Sequence, residues 1–147
     1  QHQLVAMTGE DAGELGAEIT SVPGSSLWFR GGILAYANEA KQTLLGVSEA
    51  TLARHGAVSE EACRAMLEGV RRSLEAEVGC AITGIAGPAG GSDEKPVGTV
   101  WIGVQTPDDA RVRKLDCPGG RAEVRRRATV ATLALLWRAL QPESGSG

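Results

Sequence analysis

The sequence predicts an α/β fold, a three-layer α/β/α sandwich on a mixed sheet with one antiparallel edge hairpin. Three observations lead there. Short apolar runs at residues 4–8 and 78–83 show no polar alternation, as strands covered on both faces do. Between and after them lie segments whose apolar residues recur four apart, the spacing of one helix face. Residues 97–115 read instead as strand, turn and strand, which adds a hairpin to the sheet.

Taken in order, the first strand at 4–8 ends in a turn at Gly9, after which Asp11 is placed to cap a helix over 12–20. Leu15 and Ile19 give that helix its buried side, and Pro23-Gly24 closes it. Residues 27–37 are apolar and aromatic with Gly31 and Gly32 inside, so a strand with a bulge is expected. Asn38 as cap, Glu39 in the first turn and Gly46 as stop predict a helix to Leu45. A short helix follows over 48–55, ended by Gly56.

Ser59 before two glutamates starts a longer helix, expected to reach Glu77, with Ala62, Met66, Val70 and Leu74 on its inner face. The strand at 78–83 opens into the glycine-rich segment 84–91. Strands at 97–105 and 110–115 flank the turn Pro107-Asp108-Asp109. Val124, Ala128, Ala131 and Leu135 mark a final helix over 121–140. The organisation expected is one domain at 1–140 and a tail at 141–147 without apolar anchors.

Composition narrows the function classes. The chain has 147 residues, 42% of them hydrophobic and 22% charged, enough for an unaided core. A net charge of −3 offers no field for a polyanion, so nucleic acid is not the expected partner; a small ligand is. No apolar run reaches the roughly 20 residues of a membrane span, and residues 1–6 lack a basic region followed by an apolar stretch. A soluble, cytosolic protein is expected. Cys63, Cys80 and Cys117 fit neither a disulfide framework nor a zinc spacing, so reduced thiols acting as small apolar residues are expected, with no metal and no cofactor.

Two places gather chemistry. The stretch Thr-Gly-Ile-Ala-Gly-Pro-Ala-Gly-Gly at 83–91 leaves a strand end, where open α/β sheets place their ligand crevices. Its glycines let backbone amides approach an anion, and Thr83 adds a hydroxyl. It has neither the lysine of a P-loop nor the spacing of a dinucleotide fingerprint, and a tight surface turn explains its composition equally well. Tyr36, Asn38 and Lys41 lie where a strand passes into a helix. A lysine there acts as a base if desolvated, although a lone lysine is more often a solvated surface charge. For Tyr36 the ordinary alternative is half-buried packing with its hydroxyl on a backbone carbonyl.

Five segments carry a resemblance that covers most of the chain in order. They are Thr-Ser-Val-Pro-Gly-Ser-Ser at 20–26, Gly-Gly-Ile-Leu-Ala-Tyr-Ala-Asn-Glu-Ala-Lys at 31–41, His-Gly-Ala-Val-Ser-Glu-Glu at 55–61, Thr-Gly-Ile-Ala-Gly-Pro at 83–88 and Lys-Pro-Val-Gly-Thr-Val-Trp-Ile-Gly at 95–103. Together they resemble the C-terminal domain of CinA, the competence and damage-inducible family. Active members of that family hydrolyse the amide of nicotinamide mononucleotide to nicotinic acid mononucleotide and ammonia. The resemblance implies that Lys41 assists a nucleophile, with Tyr36 and Asn38 beside it. It implies that Thr83, Gly84, Ala86 and Gly87 line a nucleotide pocket, and that Arg121 and Arg125 lie in a region supplying phosphate contacts, where solvated charges are the alternative. It also implies a possible homodimer, to which Trp28, Phe29 and Trp137 would contribute unless they pack in the core.

The sequence departs from the family at its front. There the pattern reads Ala-Glu-Ser-Cys-Thr-Gly-Gly, with the serine as nucleophile. Counting back without gaps puts Thr-Gly-Glu-Asp-Ala-Gly at 8–13 in its place and Gly9 at the serine. Thr8 is one residue away, which on a strand is the other face. Glu10 or Asp11 as activators of water have no visible second acid or metal to support them. Two readings follow: an amidohydrolase impaired or inactive for want of its nucleophile, or a non-catalytic nucleotide-binding or protein-interaction module on the same fold.

Overall fold

A computed structural model describes residues 3–141. Strand β1 (Val5–Gly9) passes into helix α1 (Ala12–Thr20), and a 3-10 turn at Ser25–Leu27 leads to strand β2 (Phe29–Leu34). Helices α2 (Asn38–Leu45), α3 (Glu49–His55) and α4 (Glu60–Ser73) follow. Strands β3 (Val78–Gly84), β4 (Thr99–Gln105) and β5 (Ala110–Asp116) precede the long helix α5 (Arg121–Leu140). The strands form one mixed sheet in the order β2-β1-β3-β4-β5. β1 runs parallel to β2 and β3, while β4 is antiparallel to both of its neighbours.

Strand alternation sorts the core into two layers. Val5, Met7, Val78, Cys80, Ile82 and Ile102 pack beneath α1 and α5. Ala6 and Ala81, on the opposite face, meet α4 and α2 through Cys63, Met66, Leu67, Val70 and Leu45. The expected three-layer sandwich is therefore the one observed. α4 sits firmly because Ser59 caps it, accepting the Ala62 amide at 3.1 Å. Its apolar stripe is fully buried; truncating Met66 or Leu67, each 0% exposed, costs about 2–5 kcal/mol.

Several boundaries differ from the sequence reading, each for a local reason. α4 ends at Ser73 rather than Glu77, because the chain needs residues to turn into β3. It does so with Glu75 at φ 51° and the Ala76 amide on the Arg71 carbonyl at 2.9 Å. β2 is shorter than 27–37, since Leu27 belongs to the 3-10 turn and Ala35 onward leads into α2. The bulge is present: the register slips between Val5 and Ala6 where Gly31 adopts φ 148°. Ala37, not Asn38, is the N-cap of α2, and Asn38 is its first helical residue. Asp11 occupies the N-cap of α1, but its carboxylate makes no cap bond. Trp28 and Phe29 pack against the core as edge-to-face neighbours, whereas Trp137 is 66% exposed. Of the expected tail, only Gln141 lies within the described residues. Among those residues no helix is long and apolar enough to cross a membrane.

The topology locates the site. From β1 the chain crosses over through α1 to β2 on one side, and from β2 through α2, α3 and α4 to β3 on the other. The strand order thus reverses between β1 and β3, and their carboxyl ends diverge into a crevice.

Candidate functional site

A cleft of about 350 Å³ opens at that switch point. One wall is the turn after β1, with Glu10 and Asp11; Tyr36 comes from the end of β2. The floor is Gly84, which ends β3, with Ala86 and Gly87 beyond it, and Arg121 and Arg125 from the first turns of α5 form the far wall. Its size suits a small ligand.

Behind the first wall lies a buried ion pair. Lys41 shares the inward face of α2 with Leu45, four residues on, and is 1% exposed. Its Nζ stands 3.2 Å from Glu10 Oε1 and donates to the Tyr36 carbonyl at 3.0 Å. A lysine so buried requires a carboxylate, and Glu10 supplies it. Burial pushes the Glu10 carboxyl above its ordinary value, and Lys41 only partly draws it back. Glu10 Oε2 is buried without a hydrogen-bond partner. Thr83, 0% exposed, donates its hydroxyl to the Ala57 carbonyl at 2.7 Å, and lies 3.4 Å from Glu10 Oε1. Its single proton belongs to the shorter bond.

The far wall is paired differently. Arg125 donates to Asp11 at 2.9 Å and approaches Glu14 at 4.0 Å, while Arg121 donates to the Gly87 carbonyl at 3.0 Å. Both guanidinium groups therefore stand at the cleft, already braced.

The structure thus brings Tyr36, Gly84, Ala86, Gly87, Arg121 and Arg125 to the cleft. Lys41 and Thr83 lie just behind its surface, and Lys41 is the reverse of a solvated charge. Tyr36 is 67% exposed, so half-buried packing is not its role. Asn38 is exposed at the start of α2 and is not among the cleft-lining residues.

No hydroxyl or thiol among the described residues bonds to Lys41. Thr8 is fully buried and donates to the Ile33 carbonyl at 2.7 Å. Gly9 has φ 134°, a region strained for side-chain-bearing residues, and a Cβ there would collide with the Ile82 carbonyl. Cys63 and Cys80 are buried in the core, their thiols pushed by desolvation to about 12. Glu10 as the partner of Lys41 was the residue that sequence reasoning missed. The signal was the four-residue spacing of Lys41 and Leu45, which turns the lysine inward beside an apolar neighbour.

A family profile described as the CinA C-terminal domain matches residues 1–140. The chain belongs to this family. A CinA-like protein of Gemmatimonas aurantiaca is 50% identical over 133 residues, 90% of this chain and 31% of the relative. One of Syntrophobacter fumaroxidans is 52% identical over 97% of the chain and 34% of the relative. The chain therefore spans about a third of the length of these curated relatives. Among solved structures, the competence/damage inducible protein CihA from Agrobacterium tumefaciens superposes with a TM-score of 0.90 at 33% identity, covering 95% of this chain and 86% of that one. A CinA superfamily protein from Escherichia coli gives 0.89 at 28% identity, over 94% and 81%. The α/β sandwich is thus shared by structurally known CinA relatives.

Proposed function

We propose that this CinA domain is of the nicotinamide-mononucleotide amidohydrolase type and keeps the nucleotide cleft, while hydrolysis through a covalent intermediate is impaired or absent. One observation carries the reading: the base position, Lys41, is bonded to Glu10 and to a backbone carbonyl rather than to a nucleophile. Amide hydrolysis by a lysine-assisted serine needs a hydroxyl within about 3 Å of that amine. Gly9 offers none, and its backbone disfavours any side chain.

Recognition is better provided for. Gly84 and Gly87 line the cleft without a side chain to hold an anion off the backbone, and Arg121 and Arg125 add guanidinium donors suited to a phosphate. Tyr36 presents an exposed ring at the mouth for a nucleobase-like face. We place the protein in the cytosol, where its buried thiols stay reduced.

The test is ammonia release from nicotinamide mononucleotide, run beside calorimetric titration of the same nucleotide. Binding with ammonia release at the level of buffer is the expected result. Turnover that Lys41→Ala abolishes would show a working nucleophile or activated water, and absence of both binding and turnover would leave the fold alone.

A further inference from the structure

Two successive carboxylates, Glu10 and Asp11, line the same wall of the cleft, yet they are not equivalent. Asp11 is committed to Arg125 across the cleft, at 2.9 Å. Glu10 is held from behind only: Lys41 takes Oε1, and Oε2 has no partner. Lys41 is 1% exposed and does not line the cleft, whereas Glu10 does, so Glu10 and not the lysine is the side chain a ligand meets first. A buried acceptor without a donor is costly, and a ligand that supplies the donor recovers that cost. The terminal torsion of a glutamate is soft, so the carboxyl can turn toward such a group. A second carboxylate brought to the same place would instead face like charge at low dielectric.

The charges of the cleft are also segregated. Glu10 and Tyr36 are joined through Lys41, while Arg121 is bonded to the glycine segment at Gly87 and Arg125 to Asp11. A ligand with a cationic aromatic end and an anionic end fits in one orientation, its ring against the tyrosine and the acid. We propose that Glu10 makes the cleft selective for the primary carboxamide of a pyridine mononucleotide and sets it against the carboxylate that hydrolysis would produce. Glu10 is thus a specificity-determining residue, and the domain reads amide against acid. This rests on the pyridine-nucleotide reading given above.

Calorimetric titration at neutral pH with nicotinamide mononucleotide and, separately, nicotinic acid mononucleotide tests it on the unaltered protein and on Glu10→Gln. The unaltered protein should bind the amide about tenfold or more tightly than the acid, a modest discrimination for a charged group. Glu10→Gln should bring the two within about threefold, chiefly by admitting the acid. Equal affinity in the unaltered protein overturns the proposal without need of a variant, as does a folded Glu10→Gln that leaves the ratio unchanged. If neither nucleotide binds, the pyridine-nucleotide reading falls and this inference with it; if both bind alike, only the inference falls.

Discussion

Glu10 and Asp11 are neighbours in the chain and on one wall of the cleft, yet their carboxylates take different partners and do different work. Glu10 goes inward to Lys41, a pair with side chains 17% and 1% exposed. Asp11 goes across the cleft to Arg125, a pair 13% and 38% exposed. An ion pair cut off from water is expensive to break, because either partner alone is an uncompensated buried charge. One at a solvated rim contributes little to stability and is easily exchanged for a ligand anion. Lys41 thus belongs to the framework of the cleft, Asp11 and Arg125 belong to its binding surface, and Glu10 joins the two.

The largest expected effect breaks the inner pair. Lys41→Met leaves Glu10 buried and unpaired and should cost about 3–5 kcal/mol in urea denaturation. Glu10→Gln with Lys41→Met should recover most of that loss. A neutral Lys41→Met alone would mean that the pair is far wetter than its burial indicates.

Gly9→Ser comes next. With φ at 134° and the Ile82 carbonyl in the path of a Cβ, it should lose about 1–3 kcal/mol and gain no ammonia release. Gain of turnover without loss of stability would show that the end of β1 relaxes to admit a nucleophile.

The pH dependence sharpens the contrast further. The Glu10 carboxyl is raised above 4.5 by burial, so the native state holds its proton more tightly than the unfolded chain does. That contribution is complete below about pH 4.5 and is lost as pH rises through the folded value. Stability of Glu10→Gln relative to the unaltered protein should therefore improve between pH 4 and pH 8 in paired urea titrations. Movement in the opposite direction would mean that attraction by Lys41 outweighs desolvation.

The smallest effect on stability belongs to the rim. Arg125→Ala should change it by about 1 kcal/mol, because Arg125 is open to water although Asp11 is nearly buried, while weakening nucleotide binding about tenfold. A large loss of stability with unchanged affinity would place Arg125 in the framework after all.

Much of the fold was legible in the sequence because its signals are local. Helix α5 has the expected bounds at Arg121 and Leu140, and Ser59 caps α4 as its hydroxyl and following glutamates imply. The errors fall at ends, where the need to reach the next element overrides periodicity, as between Ser73 and Val78. The site was legible by halves. Glycines leaving a strand end mark the floor, since that placement follows from topology. The Glu10 and Lys41 pair joins residues 31 apart in sequence across a crossover, and charge pairing at such distance leaves no spacing to read. Only the apolar company of Lys41 on its helix hinted that a carboxylate had to meet it.

The most direct measurement is a titration of the isotope-labelled protein with nicotinamide mononucleotide, in which NMR follows the backbone amides and the nucleotide together. The account predicts shifts confined to Glu10, Tyr36, the 84–87 segment and the start of α5, with the nucleotide intact after hours. Conversion of the nucleotide to its acid, or amides that do not move at saturating nucleotide, would contradict it.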